Sequence, residues 1–294
     1  MNADAAIVAA LRAAGLCDEV STSEPLTGGC IHQVKRLTLA DGQRVVAKDT
    51  TADSAALLQE EAASLEALAA TRTVLTPMPF GVFIEHGAAV FLMEFLEPAA
   101  PSEQTWRDFG EDLAALHAAR VGEPYGFSTD NHLGSTLQPN AWCDDWVAFN
   151  AESRLGHQLR LLQRVLSSDE RKTIQRVIDQ VATFIPARPR PSLLHGDLWS
   201  GNSMGAVSGA GKARIAVIDP ACSIGDGWAD IAMMKLFGGF PQACYDAYAG
   251  AVDDHDRIES RIAVYQLYHV LNHVTIFGRG YAGQAMSLAR TLLG

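Results

Sequence analysis

Apolar and polar positions follow two rhythms along this chain. Up to about residue 96 short runs dominate. Residues 27–39 alternate loosely around Gly28 and Gly29, and Asp41-Gly42 makes a hairpin turn into a strand over 43–48. Residues 54–70 are rich in helix formers, with apolar side chains at Leu57, Leu58, Leu65 and Leu68. Pro77 and Pro79 end any helix, and residues 80–84 and 88–95 read as another strand pair. The reading is a small mixed sheet with one helix, preceded by a surface helix over 5–14.

From residue 105 the period becomes helical. Residues 105–119 are periodic, 144–166 are long and amphipathic, and 169–184 form a further helix that Ser167 or Ser168 can cap. A proline-rich stretch at 186–191 breaks the pattern before a short apolar strand at 192–195. A Gly/Ser-rich turn at 205–211 leads to a second strand at 214–219, and helices fill most of the remainder. No internal repeat is present. The fold class is α+β, with a sheet-bearing N-terminal lobe over 1–93 and a mainly helical lobe over 94–294.

Composition narrows the partners. The apolar fraction of 48% and charged fraction of 19% belong to a globular protein. A net charge of −11 argues against nucleic acid, whose phosphates demand surplus Lys and Arg. No apolar run is long enough for a membrane span and no leader-like start is seen, so a cytoplasmic location is expected. Five scattered cysteines without C-x-x-C spacing read as reduced thiols.

The chemistry concentrates in Leu194-His-Gly-Asp-Leu-Trp-Ser-Gly-Asn202. Phosphoryl transfer to an alcohol needs a carboxylate near the attacking hydroxyl and ligands that hold Mg2+ against the phosphates. Asp197 can accept the hydroxyl proton, and Asn202, five residues on, can bind the metal. The spacing is that of a kinase catalytic loop, H-x-D-x-x-x-x-N; a helix-capping turn with a buried His is the plainer account. The apolar run ending at Asp219-Pro220 can deliver a second metal ligand, although Asp before Pro is also an ordinary turn. Lys48 ends a strand and can hold the α- and β-phosphates of ATP, steadied by Glu61 with Glu60 as fallback; a solvated edge lysine is the alternative. Gly28 and Gly29 can let backbone N–H groups approach phosphate or simply make a turn. Met93, Glu94, Phe95 and Leu96 lie where a strand leaves the first lobe, and their backbone can meet adenine or merely continue a core strand. These pieces occur in kinase order, which implies a two-lobed protein-kinase-like fold using ATP and Mg2+.

The chain also resembles the fructosamine kinase (ketosamine-3-kinase) family. The matching text includes Thr27-Gly-Gly-Cys-Ile31, Gln138-Pro-Asn140, Trp142-Cys-Asp-Asp-Trp146, Arg154-Leu155, the Asp197 loop with Trp199, and Asp219-Pro-Ala221. Leu236-Phe-Gly-Gly-Phe240, Leu271-Asn-His273 and Phe277-Gly-Arg279 extend it over nearly the whole chain. The resemblance implies phosphorylation of the sugar 3-hydroxyl of a glycated amine, small or protein-bound, by a monomer or homodimer. Trp199 can then stack on the sugar or the amine arm, or pack under the loop. His195 and Asp230 brace the catalytic loop. Other kinases of this superfamily, acting on aminoglycosides, choline-like alcohols or free sugars, and a non-catalytic nucleotide-binding regulator are the competing readings. One segment departs from the family: two aromatics are expected after Ala221, where this chain has Cys222-Ser-Ile-Gly-Asp-Gly-Trp228, which bears on the acceptor. Cys30, in the glycine loop, is a candidate redox switch or a small buried hydrophobe.

Overall fold

The computed structural model describes residues 3–26, 33–119, 122, 124–207 and 211–294. They form two compact units, Met1–Thr105 with Gly201–Pro220, and Trp106–Ser200 with Ala221–Gly294.

Unit 1 is built on a five-stranded sheet. Its strands are β1 (Val20–Pro25), β2 (Gln33–Leu39), β3 (Arg44–Thr51), β4 (Pro79–Glu85) and β5 (Ala88–Glu94), in the order β1-β2-β3-β5-β4. Every pairing is antiparallel, so the sheet is not mixed as the sequence suggested. The helix between β3 and β4 returns the chain to the far side of β5, and His86-Gly87, both at positive φ, close the β4–β5 hairpin. Strand alternation gives the sheet two apolar faces. Val45, Ala47, Val90 and Leu92 pack with Ala6, Ile7, Ala10 and Leu11 of helix α1 (Ala3–Ala13). Val46, Ala89, Phe91 and Met93 pack with Ala55, Leu58, Ala62 and Leu65 of helix α2 (Ala55–Thr71). The N-terminal helix therefore buries one face. β1 was not foreseen, because five of its six residues are exposed and carry no apolar alternation.

The returning segment 201–220 adds a hairpin, Ser203–Val207 against Ala213–Val217, which Glu97–Pro98 extends to three strands. Leu75 bridges Ala216, and Ala206, Ala216 and Leu96 share a small core. Gly205 stands inside the first strand because a Cβ there would collide with the carbonyl of Ala99. The expected boundary at 93 does not anticipate this return. Nothing in a strand-poor, Gly-rich stretch announces that it pairs with residues a hundred positions earlier.

Unit 2 is helical, with a two-stranded ribbon of Pro191–Leu194 against Ser223–Asp226. The helix expected over 144–166 is interrupted: Asn150–Leu155 winds with wider turns between Trp146–Phe149 and Gly156–Leu161. Ser167 caps Ser168–Asp179 in a reciprocal box with Glu170. Helices Trp228–Phe237 and Ile258–Phe277 pack together. At the end of the ribbon Asp226 receives a paired hydrogen bond from Arg261, at 2.9 and 2.8 Å, and a third from the Tyr265 hydroxyl at 2.6 Å. The segment that departs from the family text is thus anchored in the interior. Among the described residues no helix is long and apolar enough to cross a membrane.

Candidate active site

In unit 1, alternation along β3 turns Val46 and Lys48 toward α2, and the α2 positions 58, 61, 62 and 65 share one helical face. Lys48 Nζ donates to Glu61 Oε1 at 2.6 Å and forms a second, shorter bond to Asp219 Oδ1. The lysine is 7% exposed, a burial that lysines accept only when paired. Burial works against its charge, but the Glu61 and Asp219 carboxylates outweigh this and raise its pKa. Glu61 is pushed up to about 7 by burial and by the neighbouring Asp219, against the pull of the ammonium. The two carboxylates compete for one cation, so Lys48 is neither a solvated nor an edge residue: β3 lies mid-sheet.

Asn202 and Asp219 flank the ends of one hairpin. Ser203 pairs with Val217, and the Ile218 N–H donates to the Asn202 carbonyl at 3.0 Å. Asp219 has φ 54°, the left-handed conformation that Asp and Asn adopt most readily among residues with a side chain. No cluster of three or more His, Cys, Asp or Glu side chains suited to a metal exists among the described residues. Mg2+ needs less from a protein, since it takes one or two protein oxygens and completes its octahedron with phosphate and water. One carboxylate and one carboxamide at the same hairpin end fit that demand.

In unit 2 the segment around Asp197 is held by its backbone. The buried Asp230 accepts the N–H of His195 at 2.8 Å and of Gly196 at 2.9 Å. The Ala221 N–H donates to the His195 carbonyl at 2.9 Å, and the Asp197 N–H to His195 Nδ1 at 3.3 Å. Gly196 has φ +83°, and a Cβ there would run into the Ala221 carbonyl, so this position admits only glycine. Sequence reasoning missed His117, whose Nε2 lies 3.2 Å from Asp230 Oδ2 and whose Nδ1 lies 2.9 Å from the Tyr248 hydroxyl. Its only trace in the sequence is a histidine closing the apolar face of helix Glu103–Ala118. Burial pushes the Asp230 carboxyl up, but the bond and charge of His117, the charge of His195 and the Gly196 N–H hold it below the usual range.

The fold thus joins Lys48, Glu61 and Asp219 directly, sets Asn202 beside Asp219 along the hairpin, and joins His195 and Asp230. Met93 is buried against α2, and the Glu94 N–H is taken by the Met78 carbonyl at 2.8 Å. The Phe95 ring lies beneath the guanidinium groups of Arg36 and Arg44, and Leu96 joins the hairpin core. Trp199 is 40% exposed and meets Phe237 edge-on, so it does not pack under the loop. Gly28, Gly29 and Cys30 lie outside the described residues.

The model of the fructosamine kinase family matches residues 4–294. The chain belongs to that family. A probable ketoamine kinase of Synechocystis sp. is 40% identical over 270 residues, covering 91% of this chain and 89% of its own length. The chloroplastic protein-ribulosamine 3-kinase of Arabidopsis thaliana is 33% identical, covering 93% of this chain and 83% of its own. A crystal structure of a Thermobifida fusca protein assigned as a fructosamine-3-kinase has a TM-score of 0.84 at 28% identity, covering 97% and 98%. At the level of fold alone, an aminoglycoside phosphotransferase, APH(4)-Ia, has a TM-score of 0.66 at 15% identity over 98% of this chain and 97% of that one. The fructosamine kinase chain therefore has the protein-kinase-like α+β fold expected from its motif order.

Proposed function

We propose that this member of the fructosamine kinase family transfers the γ-phosphate of ATP to the sugar 3-hydroxyl of ketosamines, free or on protein lysines, in the cytoplasm. The observation that carries the reading is the family match over residues 4–294 in a chain that retains Lys48, Asp197, Asn202 and Asp219. Ketoamine and ribulosamine kinases among the relatives support the acceptor class. The APH(4)-Ia complex with ADP supports the nucleotide.

Lys48 would hold the α- and β-phosphates, while Glu61 would keep the ammonium in place. Asn202 and Asp219 would hold Mg2+, which supplies charge neutralisation on the phosphate oxygens. Asp197 accepts the proton of the 3-hydroxyl as the O3–P bond forms and the bond from the γ-phosphorus to the β–γ bridging oxygen breaks, leaving ADP. Backbone bracing by Asp230 keeps Asp197 in register for that transfer.

The test is a coupled assay of ADP release with ribulosamine, fructosamine and aminoglycoside panels, repeated with Asp197→Ala. Ketosamine-dependent turnover should fall about 10²-fold or more in the variant while ATP affinity persists. Turnover on aminoglycosides alone, or a near-normal Asp197→Ala enzyme, refutes the reading.

A further inference from the structure

Three stretches of the family-matching text have no place in the machinery above: 236–240, 271–273 and 277–279. Unit 2 brings them together next to the Asp197 loop. Trp199 and Phe237 lie 6.5 Å apart between ring centroids, Phe237 and His273 5.0 Å, His273 and Phe277 5.5 Å, and His273 and Tyr281 5.1 Å. Phe277 and Tyr281 close the far end at 6.0 Å. The track is exposed: Trp199 and Phe237 at 40% and Phe277 at 58% are three of the eight large apolar side chains on the described surface. Single exposed rings need no explanation, but here Trp199, Phe237 and Phe277 are linked into one aromatic track through the half-buried His273 and Tyr281.

The track is also built in place. After Phe237 the chain turns through Gly238 and Gly239, both at positive φ, and a Cβ at Gly239 would lie 2.7 Å from Ser200 Oγ. Only glycine lets the end of helix Trp228–Phe237 approach the catalytic loop so closely, which fixes Phe237 against Trp199. The Trp199 N–H in turn donates to the Asp197 carbonyl at 3.1 Å. Gly278, at φ 83°, ends helix Ile258–Phe277 and folds Tyr281 back onto His273 and Phe277. The ring series therefore starts two residues along the chain from the proposed base.

We infer that this aromatic track is the subsite for the amine-bearing arm of the ketosamine, and that it selects arms carrying aromatic or extended apolar groups. The inference rests on the ketosamine kinase reading. In a ketosamine the amine is on C1 and the acceptor hydroxyl on C3, so an acceptor oxygen at Asp197 places a protonated secondary amine and its substituent near Trp199. Ring faces attract such a cation, and the rings beyond receive the substituent by stacking. Phe277 and Tyr281, at the far end of the ring series from Trp199, read the distal part of the arm.

The experiment compares ribulosamines made from methylamine and phenethylamine, with kcat and KM measured for each in the wild type, Phe277→Ala and Phe237→Ala. The phenethyl adduct should have the lower KM by about tenfold, and each variant should erase most of that advantage, since tenfold is about 1.4 kcal/mol, within the range of a single aromatic contact. Phe277→Ala removes a mostly exposed ring, so unchanged thermal melting separates a lost contact from a lost fold. A wild type that treats the two arms alike, or an advantage that survives both variants, overturns the subsite while leaving the kinase reading intact. Failure to phosphorylate either adduct overturns both.

Discussion

The two units organise their candidate residues by opposite means. In unit 1 charged side chains do the organising: Glu61 and Asp219 form a three-membered cluster with the buried Lys48, whose ammonium both hold. In unit 2 the backbone does it: Asp197 owes its place to peptide N–H groups on Asp230 and to a glycine conformation no other residue can take. The Lys48–Glu61 pair of that cluster can be retuned by substitution, because each charge has a partner that adjusts. A backbone clamp has no intermediate states, so it should fail abruptly.

The most severe test of that contrast is Gly196→Ala. The added methyl meets the Ala221 carbonyl in a left-handed backbone, and turnover should drop by about 10³-fold, within the range that general acid–base catalysis spans. Near-normal kinetics would mean the clamp is soft. Lys48→Met should act in the other half, with kcat/KM for ATP falling about 10²-fold as charge-assisted phosphate contacts are lost. Isothermal titration would show weaker nucleotide binding, in contrast to Asp197→Ala, and equal ATP affinities in the two variants would erase the distinction between halves.

The smallest effect concerns stability. His269 is buried, its Nδ1 has no hydrogen-bond partner, and burial followed by repulsion from His273 lowers its pKa to about 3. The folded state thus binds fewer protons than the unfolded chain, where the group titrates near its ordinary value of 6.5. Its stabilisation is complete above pH 6.5 and is lost as pH falls toward 3, by about 2 kcal/mol between 6.5 and 5. Thermal melts of the wild type and His269→Leu over that range should differ in slope, with the variant flatter. Parallel slopes would assign the acid sensitivity elsewhere.

How much of this was legible in the sequence divides along the same line. The side-chain half could be read, because strand alternation points Lys48 to the same face as Phe91 and Met93, and helical period puts Glu61 beside Leu65. The Asp197–Asn202 spacing and the strand before Asp219 were equally visible. The backbone half was not. Gly196 reads as a loop residue until its φ is known, and the reach of Asp230 across thirty-four positions, like that of His117 across one hundred and thirteen, has no local signature. Strand β1 escaped because five of its six residues face water, and the widened turns after Phe149 escaped because no Gly or Pro over Asn150–Leu155 marks them. The hairpin of 203–217 joined unit 1 unannounced, since pairing partners are chosen by tertiary fit.

Asp219 closes a narrow alphabet. Its left-handed backbone immediately before Pro220 costs roughly 1–3 kcal/mol for most residues, and aspartate is among the few that tolerate it. Asparagine would keep the shape and forfeit the negative charge, glutamate would keep the charge and forfeit the shape, and glycine would relax the chain and offer neither. Genetic drift or laboratory evolution at this codon therefore has nowhere to travel in small steps, and any library built around the hairpin should leave that letter fixed.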